Sequence, residues 1–364
     1  MIRRDSHWMQ RALVLARKAW NQTYPNPRVG AIVLDAQGRL CGQGYHPRAG
    51  QDHAEIIALK QAGPRAKGGT LFATLEPCAH HGRTPPCAQA LVQAQLKRVV
   101  VATLDPNPLV GGKGLALLAK AGIDVHVGIE ETAARSLNHV FFHGLAHDRP
   151  FVHAKAALSS DGCMGHKTHR LLLTGPQARH HTMKLRASYQ AIVTGIGTVL
   201  TDNPHLTVRG LAGCAPPARV ILDSQLRCPL DAHVAQTSQA KSLVYCLQEP
   251  SQSSKAQSLR DQGVEVIGLD EDASHQTLNL NTLLVDLRDR GLGSLLLEAG
   301  PRLLTAFSKL KIVDRWTFYL SPANVADQYD PQDLIKFDPT QLFQPKIQSA
   351  IRMGQDLKIE ATAL

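Results

Sequence analysis

Apolar residues recur along the chain in two alternating rhythms, one at helical and one at strand spacing. Trp8, Ala12, Leu15, Ala16 and Ala19 share one face of a helix whose start Asp5 or Ser6 can cap. Short apolar runs over 29–34 and 70–75 predict strands, with a helix over 53–62 between them. A helix from about residue 85, a strand over 98–103, a helix over 114–121 stopped by Gly122 and a strand over 123–127 continue the series. Such alternation predicts an α/β layer sandwich. The polar stretch 143–150, closed by Pro150, predicts a boundary between domains over 1–147 and 148–364. Beyond it the rhythm restarts with a strand over 152–158 and a helix over 176–187. Further strands are predicted over 191–194, 220–223, 243–246, 264–269 and 294–298. The Ser/Gln-rich stretch 248–258 reads as a surface loop, 322–349 has too weak a period to assign, and no internal repeat is visible.

Composition narrows the class. A chain of 364 residues suits about two domains. Hydrophobic content of 43% and charged content of 19% are those of a globular protein, which excludes a disordered tail, a collagen-like repeat and a disulfide miniprotein. No apolar run approaches the ~20 residues of a bilayer span, and the stretch 12–16 after Arg3 and Arg4 is too short for a signal-peptide core. Seven cysteines without paired spacing argue against a disulfide framework, so a cytoplasmic compartment is expected. The net charge of +10 favours anionic partners. No dense basic block occurs and aromatics are only 5%, which points to a phosphate-bearing small molecule rather than nucleic acid or a membrane. Assembly as a homo-oligomer is expected.

Chemistry concentrates in two segments of the first half. His53-Ala54-Glu55 opens a helix, and Glu76-Pro77-Cys78 is followed by Cys87 after Thr84-Pro85-Pro86. One histidine and two cysteines make three zinc ligands and leave a fourth tetrahedral position for water, the arrangement of a catalytic site. Placement near helix N-termini would favour the thiolate form of Cys78 and Cys87. Glu55, two residues from a ligand, is placed to move protons between that water and a substrate nitrogen. The alternative is a structural site completed by His80 or His81, which has no need of Glu55.

Zinc nucleobase deaminases carry His-x-Glu and then Pro-Cys-x-x-Cys; here eight residues stand between the cysteines. The run from Leu75 to Cys87 closely resembles the deaminase half of the bifunctional riboflavin-biosynthesis deaminase/reductase family. Pro25-Asn26-Pro27-Arg28-Val29-Gly30, Gly44-Tyr45-His46 and Asp105-Pro106-Asn107-Pro108 resemble that family's other motifs. The resemblance implies a cytidine-deaminase-like α/β/α sandwich binding one zinc ion. It also implies that Asn26 and His46 contact the pyrimidine and that His80, Arg83, Asp105 and Asn107 line the pocket.

The second half resembles the reductase half of the same family. The match runs through Leu185-Arg186-Ala187, the stretch Thr198 to Arg209, Leu222-Asp223-Ser224 and Glu298 to Leu304. It implies a dihydrofolate-reductase-like α/β domain that uses NADPH. Ala157, Leu172, Thr198, Asp202, Ser224 and the turn Gly300, Pro301, Arg302, Leu303, Leu304, Thr305, Ala306 would hold the cofactor. Lys155, Asp161, Arg170, Arg186, Leu206, Arg209 and Glu298 would hold the phosphorylated substrate, arginines suiting a phosphate because they bind it bidentately. The chain departs from the family at Leu172, where a tryptophan borders the cofactor, and at Arg170, where a serine faces the substrate. Two rivals stay open: a nucleic-acid deaminase, and a deaminase whose second domain binds nucleotide without catalysis.

Overall fold

The computed structural model describes residues 2–79, 86–107, 111–272, 277–341 and 345–363, and the chain divides into two units, Met1–Asp148 and Arg149–Leu364. The first unit is built on strands β1 (Gly30–Leu34), β2 (Leu40–Tyr45), β3 (Thr70–Ala73), β4 (Arg98–Val101) and β5 (Asp124–Val127), in the order β2-β1-β3-β4-β5. β1 runs antiparallel to β2 and β3, whereas β3, β4 and β5 are parallel. Helices α1 (Ile2–Ala16), α2 (Ala54–Ala62), α3 (Cys87–Gln93), α4 (Lys113–Lys120), α5 (Glu131–Leu137) and α6 (His139–Ala146) complete the unit.

Alternate residues of the central strands enter two separate cores. Ile32, Phe72 and Val100 pack with Met9, Leu13 and Leu137 from α1 and α5. Val33, Leu71 and Val99 pack with Ala58, Leu91 and Leu118 from α2, α3 and α4. Burial on both faces explains why these strands read as continuous apolar runs, and the result is the α/β/α sandwich.

One expectation changes, and two features were not foreseen. Asp5 and Ser6 do not cap α1, which begins at Ile2; Asp5 instead takes a bidentate pair from Arg98 at 2.7 and 3.0 Å, and Ser6 donates to Glu130. β2 escaped the sequence reading because Gly42 and Gly44 interrupt its apolar pattern. A Cβ at either would lie 2.1 Å from the Ala58 carbonyl or 2.7 Å from that of Ala54, so glycine is what lets α2 lie directly on the strand. Helix α6 runs into the polar boundary stretch 143–150, ending at Ala146.

In the second unit the strands are β6 (Phe151–Leu158), β7 (Cys163–His166), β8 (Ala191–Gly195), β9 (Ala218–Leu222), β10 (Ser242–Leu247), β11 (Glu265–Leu269), β12 (Ser294–Glu298), β13 (Arg315–Leu320), β14 (Leu334–Lys336), β15 (Pro345–Met353) and β16 (Asp356–Ala363). Nine form one sheet in the order β11-β10-β9-β8-β12-β6-β13-β16-β15, parallel up to β13 and antiparallel through β16 and β15. β7 and β14 pair separately. The helices are α7 (Pro176–Ser188), α8 (Ile196–Asp202), α9 (Gln248–Ser251), α10 (Ser254–Asp261), α11 (Leu280–Asp289) and α12 (Pro301–Lys309).

One face of this sheet (Val193, Leu295, Leu297) packs on Leu283, Leu287, Leu304 and Phe307 of α11 and α12. The other (Ile192, Ile221, Val244) packs on Val199 and Leu259 of α8 and α10. The helices that follow neighbouring strands β8 and β12 therefore lie on opposite faces, which opens a crevice at the carboxyl ends of those strands. The stretch 248–258 is largely helical: Ser253 caps α10 by accepting from Ala256 N–H at 3.2 Å, and Ala256 and Leu259 bury its inner face. Within 322–349 lie β14 and most of β15. No helix among the described residues is long and apolar enough to cross a membrane.

Candidate active sites

The metal-ligating set assembles where three segments of the first unit meet. His53 is the residue before α2, and Cys87 is the first residue of α3. Cys78 follows β3 and closes the N-terminus of α3: its Sγ accepts from Cys87 N–H at 3.3 Å and its carbonyl from Ala88 N–H at 3.1 Å. His53 Nδ1 lies 3.2 Å from Cys87 Sγ and 3.7 Å from Cys78 Sγ, and the three donor atoms fall within 4.8 Å of one another. Two sulfurs and one imidazole nitrogen at that separation fit a tetrahedral zinc ion with one position open.

The electrostatics agree with that donor set. Hydrogen bonds from Cys87, then from His53, hold the Cys78 thiol well below its ordinary range despite burial. The same contact, burial and Glu55 push the Cys87 thiol up. Glu55, on the first turn of α2, is 3% exposed, and burial pushes its carboxyl up to about 7 against the opposing charge of His53. It sits beside the ligands without being one.

Next to them, His46 (2% exposed) donates from Nδ1 to the Asp52 carbonyl at 3.1 Å. That fixes its tautomer and turns Nε2 to Asn26 Nδ2 at 3.2 Å. Burial holds the His46 imidazole below its usual pKa, so it is neutral. Its ring meets that of His53 edge-on at 5.2 Å. Asn26, His46 and Glu55 thus surround the ligand set. Asp105 Oδ1 accepts from Asn107 N–H at 2.9 Å on a loop tied to the Glu76 side chain. His80 and Arg83 lie outside the described residues.

In the second unit the polar groups collect beneath α7. Glu298, at the end of β12, and Lys155, its register neighbour on β6, are both half-buried. Arg186 of α7 grips Glu298 with two hydrogen bonds, 2.6 and 3.0 Å, and donates to the Thr207 carbonyl at 3.1 Å. Burial opposes ionisation of Glu298, but Arg186, with help from Lys155, outweighs it and holds the carboxyl below the ordinary range. Burial lowers the pKa of Lys155, whose Nζ lies 5.8 Å from the centre of the Tyr319 ring. Arg170 and Arg209 are exposed and make no hydrogen bond or ion pair among the described residues. An anionic ligand suits that surplus of cations.

The crevice beyond β8 and β12 is open where a dinucleotide would need it. A Cβ at Gly197 or Gly300, in the turns that start α8 and α12, would meet nothing within 4 Å. Thr194 Oγ1, near the carboxyl end of β8, is buried without a hydrogen-bond partner, whereas Asp223 Oδ1, just after β9, pairs with Arg227 Nε at 3.8 Å. Open backbone at these two turns, with a buried hydroxyl left to pair at Thr194, fits a polar cofactor.

Two family models match the chain: the cytidine and deoxycytidylate deaminase zinc-binding region over 2–103, and the RibD C-terminal domain over 150–338. Riboflavin biosynthesis protein RibD of Aquifex aeolicus is 40% identical over 99% of both chains. The chain belongs to the RibD family. Among solved structures it is similar to Acinetobacter baumannii RibD (TM-score 0.82, 37% identity, all of both chains). It is also similar to the Thermotoga maritima diaminohydroxyphosphoribosylaminopyrimidine deaminase/5-amino-6-(5-phosphoribosylamino)uracil reductase (TM-score 0.84, 29% identity, 100% of this chain and 99% of that one). It is therefore a bifunctional riboflavin-biosynthesis enzyme with a zinc-binding deaminase domain and a reductase domain.

Not every residue named from the RibD resemblance turns a side chain to a cleft. Leu206 and Leu304 are buried in the core, so only their backbone can meet a ligand; Leu206 does hold a left-handed φ of 48°. Asp161 braces a turn, accepting from Ser159 Oγ at 2.7 Å and Val325 N–H at 3.1 Å. Leu172 is 67% exposed on the loop before α7. Ala157, Thr198, Asp202, Ser224, Gly300, Pro301, Leu303, Thr305 and Ala306 are half-buried, Leu303 and Ala306 against the core, and Arg302 is exposed. The sequence reading gave no role to Glu76 or Tyr319, because burial and backbone hydrogen bonds leave no spacing signature.

Proposed function

We propose that the first unit hydrolytically deaminates 2,5-diamino-6-(5-phosphoribosylamino)pyrimidin-4-one at its 2-amino group. The second unit then reduces the ribosyl side chain of the product to ribityl with NADPH. The observation that carries the first step is a buried carboxylate, Glu55, beside the converging His53, Cys78 and Cys87. Zinc held by those three residues supplies the Lewis acidity that brings a water proton into the neutral range. Glu55 takes that proton as the water oxygen adds to the ring carbon and passes it to the ring nitrogen that receives the C=N electron pair; it then moves the remaining hydroxyl proton to the amino group, which leaves as ammonia as the carbonyl forms. Asn26 and His46 hold the pyrimidine edge. Asp105 and Asn107, with His80 and Arg83, close the pocket.

For the second step NADPH supplies the hydride. Thr198, Asp202, Ser224 and the turn from Gly300 hold the cofactor along the crevice. Arg170 and Arg209 meet the substrate phosphate, while Arg186 keeps Glu298 ionised and in place. Hydride from bound NADPH would add to the anomeric carbon of the ribosylamine as its bond to the ring oxygen breaks; that oxygen then needs a proton, which Lys155 is suited to give because burial weakens its hold on one.

Stripping the zinc tests the division of labour. The stripped chain is expected to release no ammonia yet to oxidise NADPH at its former rate when given the deaminated product. Loss of both activities together would refute it.

A further inference from the structure

Glu76 has no part in the chemistry above, yet its surroundings are unusual. It is 4% exposed, and among the described residues no lysine or arginine pairs with it. A buried carboxylate without a cation has to be satisfied in another way, and here four peptide N–H groups do it. Oε2 accepts from Asp105 at 3.3 Å and Gly112 at 3.0 Å; Oε1 accepts from Gly114 at 3.1 Å and Leu115 at 3.4 Å. Gly112 precedes α4, and Gly114 and Leu115 lie in its first turn, so the carboxylate also faces the positive end of that helix.

The Glu76 backbone is fixed too, its N–H donating to the Thr103 carbonyl at 3.0 Å. α4 begins hard against the next residue: a Cβ at Gly114 would lie 2.0 Å from the Pro77 carbonyl oxygen. One side chain therefore grips both ends of the segment from Asp105 to Leu115, and does so two residues before Cys78. The backbone N–H of Asp105 itself is one of the four donors.

We propose that Glu76 is a positioning residue for deamination, holding the Asp105–Asn107 loop in register with the Cys78 side of the metal centre. The proposal rests on reading that loop as part of the pyrimidine pocket. Losing the grip would let the loop drift from the bound pyrimidine while His53, Cys78, Cys87 and Glu55 stay where their own segments put them. Substrate binding should suffer and the bond-making step should not.

Glu76→Gln in the full-length zinc-loaded chain is the test, because the amide presents an N–H₂ to one of the two pairs of peptide donors. Zinc content, kcat and KM for ammonia release are measured beside wild type and Asn107→Ala. The expected result is one zinc per chain, KM raised about tenfold and kcat within about threefold, as loss of two accepted hydrogen bonds at a binding loop implies. Unchanged KM in Glu76→Gln with a raised KM in Asn107→Ala would overturn the proposal and leave the pocket intact. Unchanged KM in Asn107→Ala would instead remove the loop from the pocket, and the proposal with it. Zinc loss with a collapse of kcat in Glu76→Gln would also overturn it, since Glu76 would then be supporting the ligand. Should Glu76→Gln not fold, Glu76→Asp, which keeps the charge but reaches only one donor pair, carries the same test with the same readings.

Discussion

Replacing Arg186 by alanine removes the cation that keeps Glu298 ionised inside the second unit. The wild-type pair is bidentate, and its side chains are only 12% and 11% exposed, so solvent screens it little. Truncating one member leaves a buried charge uncompensated, at a cost of about 3–5 kcal/mol. At roughly 2–4 °C per kcal/mol for a unit of this size, the melting transition should fall by about 6–20 °C at pH 7. The pH dependence has a definite sign. Glu298 is held below the ordinary carboxylate range in the wild type, so its stabilisation is present above the unfolded value and lost as pH falls through the folded one. Without Arg186, burial dominates and the carboxyl rises, so the gap between variant and wild type should narrow steadily as pH falls from 7 towards 4. Scanning calorimetry of the full chain measures this, the transition of the second unit being the one indifferent to zinc chelation. A loss below about 1 kcal/mol at pH 7, or a gap that does not narrow with acid, would refute the claim that these groups depend on each other.

Glu55→Gln should lower ammonia release by about 10²–10⁴-fold with one zinc per chain retained, measured by metal analysis beside the deaminase assay; metal loss or near-normal turnover would remove Glu55 from proton transfer. Arg209→Ala should raise the reductase KM for the phosphorylated substrate with little change in the binding of NADPH, read from steady-state kinetics and cofactor titration. Leu172→Trp should tighten NADPH several-fold in the same titration if the cofactor packs on this position, whose side chain is 67% exposed and free to cover it.

Much of the first unit was legible because its chemistry is local. His53 and Glu55 share one helix start, and Cys78 and Cys87 bracket a single loop, so spacing alone pointed to a metal centre. β2 was not legible, since the feature that makes it fit under α2 is the absence of side chains at Gly42 and Gly44. Glu76 sits inside the motif that gave the site away, but what it does depends on peptide groups thirty to forty residues on. In the second unit the ionic residues Lys155, Arg186 and Glu298 were found as single positions, while their mutual dependence emerges only from the sheet register and α7. Leu206 and Leu304, matched by motif, turn their side chains into the core, which leaves their backbone to meet a ligand. The helical character of 248–258 was hidden by its polar composition, since only Ala256 and Leu259 mark the inner face of α10.

The central claim is that one chain performs both reactions in succession, and the coupled time course tests it most directly. Full-length, zinc-loaded protein is given synthetic 2,5-diamino-6-(5-phosphoribosylamino)pyrimidin-4-one and NADPH, with ammonia and NADPH followed in the same sample. Ammonia should appear first, and NADPH consumption should follow until one NADPH is oxidised for each ammonia released. Ammonia release without substrate-dependent NADPH oxidation would leave the chain a deaminase with a silent second unit. NADPH oxidation without ammonia would contradict the assigned order of the two steps.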